Sequence, residues 1–361
     1  MLRFDEFMER ALYDPETGFF ATSGQAGAAR GDFITSPEVG PLFGVLVAEY
    51  LDRCWERAGC PPTFTVVEFA AGRGALAISV RAAAPRCAAA LRYHLVEVSP
   101  SLRARQAEHL PVDHGGGAGL HFFSHAGAET LPQQADLVFA NELLDNIPFR
   151  LFERSGERDS GTRGEETEVA RAEWREVWVN PDDGRETLER VDRTLAERLD
   201  RLAPEASPGT RIPLQERAGE WLRRALDLVG PDGTVTVVDY ARTTAEMAAL
   251  HQNEWVRTYR GHSRGGAPTE APGTQDMTVD VAIDQLEAVG GPSVNQSQSE
   301  WLAELGIAGL VDEGRRVWQA SAAAPDLVAI RARSRVAEAE ALTDPSGLGG
   351  FRVLSWGGSL E

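Results

Sequence analysis

The sequence predicts an α/β fold, a doubly wound and mostly parallel sheet with helices on both faces. Three observations predict it. Apolar, β-branched segments alternate with helical patterns between residues 63 and 240, and strands that alternate with helices pair in parallel because each crossover helix returns the chain to the same end of the sheet. The first such segment runs into a turn with two glycines, "VVEFAAGRG", Val66 to Gly74. The second ends in a carboxylate, Glu97, 23 residues after Gly74.

The elements follow in order. Phe4 to Phe20 read as a short helix and a turn at "DPETG", where proline and glycine interrupt the pattern. "GDFITSPEVGPLFGVLVAEYLDRCWERAG" opens as a loop and becomes a helix with apolar residues at Leu42, Val45, Leu46, Ala48 and Leu51. "TFTVVEF" is a buried strand, "ALAISVRAAA" a helix stopped by Pro85, "YHLVEVS" a second strand and "PSLRARQAEHL" a second crossover helix. "LHFFS" and "ADLVFAN" supply a third and a fourth strand. "FRLFE" and "WREVWVN" are strands joined by a polar solvent loop, Arg154 to Glu173. The helix "AGEWLRRALDLV" leads through "GPDG" to the strand "TVTVVDY". The alternation breaks from Ala245 to Val289, which reads as an insertion covering a site, and the helix "SEWLAELGI" and strand "FRVLSW" complete the architecture. The expected boundaries are 1–60 for an N-terminal helical extension, 61–244 for the core, 245–300 for the insertion on the substrate side, and 301–361 for C-terminal elements that complete the core.

Composition narrows the function. The 361 residues are 42% hydrophobic and 25% charged, enough for one large domain or two smaller ones. There is no lysine, which excludes a Walker-type phosphate loop, a kinase lysine and a Schiff-base lysine. A net charge of −19 argues against nucleic acid and leaves room for a small molecule or a basic protein. Cys54, Cys60 and Cys87 form no CxxC pair and are expected as free thiols in a reducing cytoplasm. The scattered histidines offer no HExxH, so no metal site is expected. Without a run of about 18 apolar residues no membrane span is expected, and "MLRFDEFMER" lacks the apolar core of a secretory signal.

Ligands of open parallel sheets bind beyond the carboxyl ends of the strands, so the first loop is the place to look. Gly72 and Gly74 permit close backbone approach, and the next helix starts with its N–H groups facing the same space. Glu97 can accept two hydrogen bonds from the hydroxyls of a ribose, the alternative being a solvated acid at a strand end. Two cofactors compete. "GRGALA" matches the dinucleotide fingerprint GxGxxA, though that match alone is weak. Glu68 favours the other, because an acid ending the strand four residues before Gly72 suits a cofactor with an ammonium group. S-adenosylmethionine carries both an ammonium and a ribose, and has no pyrophosphate to cradle.

These residues also carry a resemblance. "ALYDPETGFF", "GDFITSPEVGPLFG", "VVEFAAGRGAL", "YHLVEVSPSLRARQ", "FANELLDNIPF", "VVDY", "YRGH", "APGTQDMT" and "NQSQSEWLAELGI" stand in the order found in the MidA-like methyltransferases, which the chain resembles over nearly its whole length. The resemblance implies a class I, Rossmann-like methyltransferase with an insertion over the active site, using S-adenosylmethionine and releasing S-adenosylhomocysteine. The best-described activity of that family is dimethylation of an arginine in a respiratory-chain subunit, which makes a protein substrate the expected partner. There are three departures. Ala70 and Ala71 replace Gly-Pro, which is expected to reduce cofactor affinity. After "QDMT" the family continues Ala-His-Val-Asp, whereas this chain has Val279, Asp280, Val281 and Ala282, losing the histidine and moving the carboxylate. "NELLDNIP" lacks the usual Asp-Ala before proline.

The expected cofactor set is Glu68, Ala70, Gly72, Gly74, Glu97, Val98, Asn141 and Ser36, and the expected catalytic set is Glu142, Asp145 and Glu38. Methyl transfer is an in-line displacement that needs alignment above all. Glu142 and Asp145 can hold a guanidinium by charge-assisted hydrogen bonds, or be a solvated acid and a turn cap. Ser36 in "TSPE" reads equally as a helix cap with Pro37 at the first helical position. Asp239 and Tyr240 end the late strand and are expected to line the pocket, with Tyr240 alternatively core. Gln275, Asp276 and Thr278 are expected as lid residues in a Gly- and Pro-flanked loop, against ordinary turn polarity. The leading expectation is a cytoplasmic methyltransferase acting on a protein side chain, with arginine as the expected acceptor. The alternatives are a non-catalytic assembly factor that keeps the fold and an NAD(P)-dependent oxidoreductase.

Overall fold

A computed structural model describes residues 1–22, 35–111, 120–156, 173–261 and 263–357. The chain divides into two compact units, each assembled from three stretches: Met1–Ser23, Leu144–Leu222 and Ala241–Val289 in the first, Gly24–Leu143, Arg223–Tyr240 and Gly290–Glu361 in the second. These units cut across the boundaries drawn along the sequence at 60, 244 and 300. The start of the "GDFITS" block and most of the polar stretch after Arg154 lie outside the described residues.

The second unit holds a seven-stranded sheet: β1 (Phe64–Phe69), β2 (Leu91–Val96), β3 (His121–His125), β4 (Leu137–Asn141), β5 (Thr234–Asp239), β6 (Val294–Ser297) and β7 (Arg352–Trp356). Its order is β6-β7-β5-β4-β1-β2-β3. Pairing is parallel from β3 through β5, and β7 runs antiparallel to both β5 and β6. The dinucleotide-binding sheet runs 3-2-1-4-5-6 with all strands parallel. Here an antiparallel last strand is wedged in before the sixth, which separates this sheet from the dinucleotide alternative. The near-continuous apolar runs of β1, β4 and β5 follow from burial on both faces.

Helix α1 (Pro41–Arg57) presents Leu42, Phe43, Leu46, Val47, Tyr50 and Leu51 to this core. Its crossing with α2 (Ala75–Ala83) depends on Gly44, where an added Cβ would lie 2.2 Å from the Ser79 Cβ. Tyr50, Thr236 and Ser355 form a buried hydroxyl chain, with separations of 2.7 and 3.0 Å. All three cysteines are free thiols.

In the first unit, an antiparallel sheet orders Leu2–Arg3, Glu173–Val179, Arg150–Ser155 and Arg211–Leu214, with Glu186–Arg190 also paired to Glu173–Val179. The N-terminal helix, Phe4–Tyr13, buries Phe4, Phe7, Met8 and Leu12 with Phe149, Leu151, Trp255 and Met277. Its turn closes through Asp14, whose Oδ1 accepts from the backbone N–H groups of Glu16 and Thr17. The segment expected as a lid contains structure of its own: Val256–Arg260 pairs with Asp276–Val279 and with Ser263–Arg264. Among the described residues, no helix is long and apolar enough to cross a membrane.

Candidate active site

Parallel register assembles the site. Glu68 pairs with Leu95 and Phe69 with Val96, while Val238 pairs with Asn141. The residues just past these pairs, Ala70, Glu97, Glu142 and Asp239, therefore emerge at one carboxyl edge of the sheet, where ligands of such folds bind. All belong to the second unit.

The glycine loop is held by two side chains, Glu97 and Gln106. Gly72 has φ +54° and Gly74 +82°, and an added Cβ on Gly72 would meet nothing within 4 Å, so the loop faces open space. Glu97 Oε2 accepts from the Gly72 N–H at 2.9 Å and its Oε1 from the Ser99 N–H at 2.8 Å. Gln106, on helix α3 (Pro100–His109), donates to the Gly72 carbonyl at 2.7 Å and accepts from Ser124 Oγ at 2.6 Å. Glu97 is buried, which raises its pKa, so it is no solvated strand end. Val98 beside it leaves 58% of its surface exposed, an apolar face at the rim. Glu68 is fully enclosed and accepts from the Tyr93 hydroxyl at 2.8 Å. Burial pushes its carboxyl up to about 8, with the nearby Glu97 adding to the shift.

Ala70 stands at φ +54°. A side chain there meets its own backbone in the left-handed region, which is why glycine suits this position. Ala70→Gly is therefore expected to stabilise the protein by about 1 kcal/mol, seen as a higher urea midpoint with unchanged slope.

Glu142 also has positive φ, +53°. Its N–H donates to the Val238 carbonyl at 2.8 Å, which fixes the strained backbone to the end of β5. Its buried Oε1 accepts from Asn141 Nδ2 at 2.9 Å and from the Ser36 N–H at 3.4 Å. Asn141 Oδ1 is buried with no hydrogen-bond partner among the described residues. The alternative reading of Ser36 as a helix cap does not hold. Thr35 occupies the cap position, and the Ser36 hydroxyl donates instead to Gln298 Oε1 at 2.9 Å. Gln298 is itself anchored, donating to the Leu342 carbonyl at 3.0 Å. Glu38 pairs with Arg73 at 3.3 Å, and its burial pushes its carboxyl above the ordinary range. Asp239 is buried with its Oδ1 accepting from the Tyr240 N–H, and the Tyr240 ring packs on Phe351 with centroids 4.1 Å apart.

The other expected residues belong to the first unit. Asp145 is fully buried in a short 3-10 turn, Leu144–Asn146. The neighbouring Asn146 donates to Asp276 Oδ1 at 3.1 Å and to the Met277 carbonyl at 3.0 Å. Asp276 and Thr278 are not loop residues: they are buried in the strand Asp276–Val279, because its apolar partners Met277 and Val279 draw the whole segment into the core. Gln275 staples the preceding loop, donating to the carbonyls of Ala267 and Glu270 and accepting from the Gly266 N–H. The displaced carboxylate, Asp280, is buried and carries a double ion pair to Arg242 (2.6 Å) and Arg257. Asp280→Asn would leave two arginines facing a neutral amide, and is expected to cost about 3 kcal/mol of stability, measured by urea unfolding.

Sequence reasoning missed Tyr93, Gln106, Arg73 and Gln298. Gln298 lay inside the quoted block "NQSQSEW", and its polarity before an apolar helix gave no sign of a partner.

With this geometry established, comparison with known proteins is decisive. Residues 46–298 match the family described as "Putative S-adenosyl-L-methionine-dependent methyltransferase". The chain belongs to this family. It is an S-adenosylmethionine-dependent methyltransferase with the class I fold. Relatives include the protein arginine methyltransferase NDUFAF7, mitochondrial, of Danio rerio, 26% identical over 328 residues that cover 84% of this chain and 72% of the relative. The Homo sapiens protein of the same name is 25% identical over 337 residues, covering 84% and 69%. A Burkholderia thailandensis crystal structure bound to S-adenosyl-homocysteine superposes with a TM-score of 0.75 at 23% identity, covering 100% of this chain and 88% of that one, and shares the fold. The nicotinamide alternative falls away. The expected cytoplasmic location is corrected by the relatives, which are named as mitochondrial proteins.

The second unit fits the methyltransferase cofactor. The open space over Gly72, the Oδ1 of Asn141, the buried Glu68 and the exposed Val98 would offer it a backbone cradle, a polar contact, an acid and an apolar rim along one edge. When bound, the cofactor supplies an activated methyl group on a sulfonium.

Proposed function

We propose that this methyltransferase modifies a protein side chain, and that the side chain is arginine. The observation that carries the reading is that the second unit holds two carboxylates, Glu142 and Glu38, largely withdrawn from solvent. Glu142 is buried at the carboxyl edge of the sheet in a left-handed conformation, and Glu38, its side chain 8% exposed, stands on the helix start that also carries Ser36. Two buried carboxylates near a methyl donor suit a cationic acceptor, which their charge desolvates and aligns. Free arginine keeps its proton up to a pKa above about 12, so orientation and charge localisation are what the enzyme contributes. Asn141 and Ser36 hold Glu142 in place, and Glu68, Ala70, Gly72, Gly74, Glu97 and Val98 serve the cofactor. Asp145 belongs to the other unit, and the acceptor reading rests on Glu142 and Glu38. The names of the NDUFAF7 relatives support an arginine acceptor, and the family resemblance supports a respiratory-complex subunit as the protein that carries it.

The test is transfer of labelled methyl from S-adenosylmethionine into a lysate of the source organism, followed by hydrolysis and amino-acid analysis. Label in methylarginine is expected, in one dominant protein band. Label in another residue type would overturn the arginine assignment, and an unlabelled lysate would restore the non-catalytic alternative.

A further inference from the structure

The ion pair between Arg73 and Glu38 is a single contact with one unmet atom on each side, although the Glu38 carboxylate also accepts from the backbone N–H and hydroxyl of Thr35. Arg73 lies between the two positive-φ glycines of the loop, and its Nη2 stands 3.3 Å from Glu38 Oε1. Its Nε is buried without a hydrogen-bond partner among the described residues, and so is Glu38 Oε2. The Arg73 side chain is 38% exposed while the Glu38 side chain is 8% exposed, so the arginine has room to turn and the carboxylate has little. A pair built for stability alone would close as a bidentate fork, since orphaned polar atoms in a buried ion pair are costly.

We propose that Arg73 holds the carboxylate of the cofactor's methionyl end, and that it leaves Glu38 to do so. The orphaned Nε and one Nη form the flat edge that matches a carboxylate through two parallel N–H bonds. Arg73 springs from the loop whose backbone faces the open space over Gly72. The hand-over strips Glu38 of its cation and leaves a buried charge that a cationic acceptor can neutralise, so the cofactor binds first. That second half rests on Glu38 facing the acceptor, as proposed above.

Calorimetry with S-adenosylmethionine and with its decarboxylated analogue tests the proposal. The analogue keeps the sulfonium, ammonium and ribose and lacks only the carboxylate. The wild-type protein is expected to bind the analogue about tenfold to a hundredfold more weakly, the usual worth of a charge-assisted contact. Arg73→Gln is expected to bind both compounds with similar affinity. Glu38→Gln removes the competitor, so S-adenosylmethionine should bind several-fold tighter while the analogue is unaffected. Equal weakening of both compounds by Arg73→Gln would make Arg73 a support of the loop and overturn the proposal. Weaker binding of S-adenosylmethionine by Glu38→Gln would overturn it as well, by showing that the pair is structural. Failure of the wild type to bind either compound would strike the cofactor assignment itself. Tighter binding by Glu38→Gln with methyl transfer intact would retain the hand-over and remove Glu38 from the acceptor site.

Discussion

Glu142→Gln is expected to slow methyl transfer about a hundredfold to a thousandfold while S-adenosylhomocysteine affinity stays within about threefold, the loss typical of removing one preorganised charge contact. The substitution is close to isosteric. Glutamine keeps an acceptor oxygen for Asn141 Nδ2 and the Ser36 N–H, and it carries the same strain at φ +53°. Only the charge is removed. Stopped-time assays with labelled cofactor give the rate, and calorimetry gives the affinity. Equal rates in both proteins would show that Glu142 does not face the acceptor.

Glu68 carries the second large effect, on the pH dependence of stability. In the folded protein its carboxyl is held near 8, against 4.5 for the free side chain, because burial penalises the charge. Between those values the folded state keeps a proton that the unfolded chain gives up. Unfolding then releases a proton, and stability falls as pH rises, by about 1.4 kcal/mol per unit at most and a few kcal/mol in all. Below pH 4.5 both states are protonated and the effect vanishes; above about 8 both are charged and the full cost is present. The buried Glu38, Glu97 and Asp280 carboxyls shift in the same direction, so the difference between wild type and Glu68→Gln isolates this group. Urea unfolding at pH 5 and pH 8.5 is expected to show a smaller pH-dependent loss in Glu68→Gln. Identical losses would mean that Glu68 titrates normally in the folded chain. Cofactor binding should reverse the shift, since an ammonium favours the ionised acid. Proton release on binding near pH 7, measured by calorimetry in buffers of different ionisation enthalpy, is expected for wild type and absent in Glu68→Gln.

The fold, and the placement of half of the candidate site at one sheet edge, were legible because they rest on local patterns. Strand and helix periodicity located β1 to β5, and Gly72, Gly74, Glu68 and Glu97 stood at strand ends where chemistry is visible from neighbours alone. Polar residues whose partners lie far along the chain were not legible. Gln298 lies 262 residues from Ser36, and Tyr93 reads as another apolar strand residue until Glu68 is seen beneath its hydroxyl. The strand Asp276–Val279 was hidden by its short length and by the glycines and prolines before it.

The sequence by itself determined a parallel α/β core, the acidic strand ends and the absence of any lysine-dependent chemistry, because periodicity, turn residues and composition act over a few residues at a time. Tertiary structure alone decided which charges meet. It set Asp280 between Arg242 and Arg257, Arg73 against Glu38, and Glu142 in a left-handed conformation pinned to Val238. Ion pairs and strained backbones have no period to read; they exist only once packing has removed water and fixed the neighbours. The same holds for "VVEFAAGRG", whose glycines announce a loop, while Glu97 and Gln106 fix its backbone with open space left over Gly72.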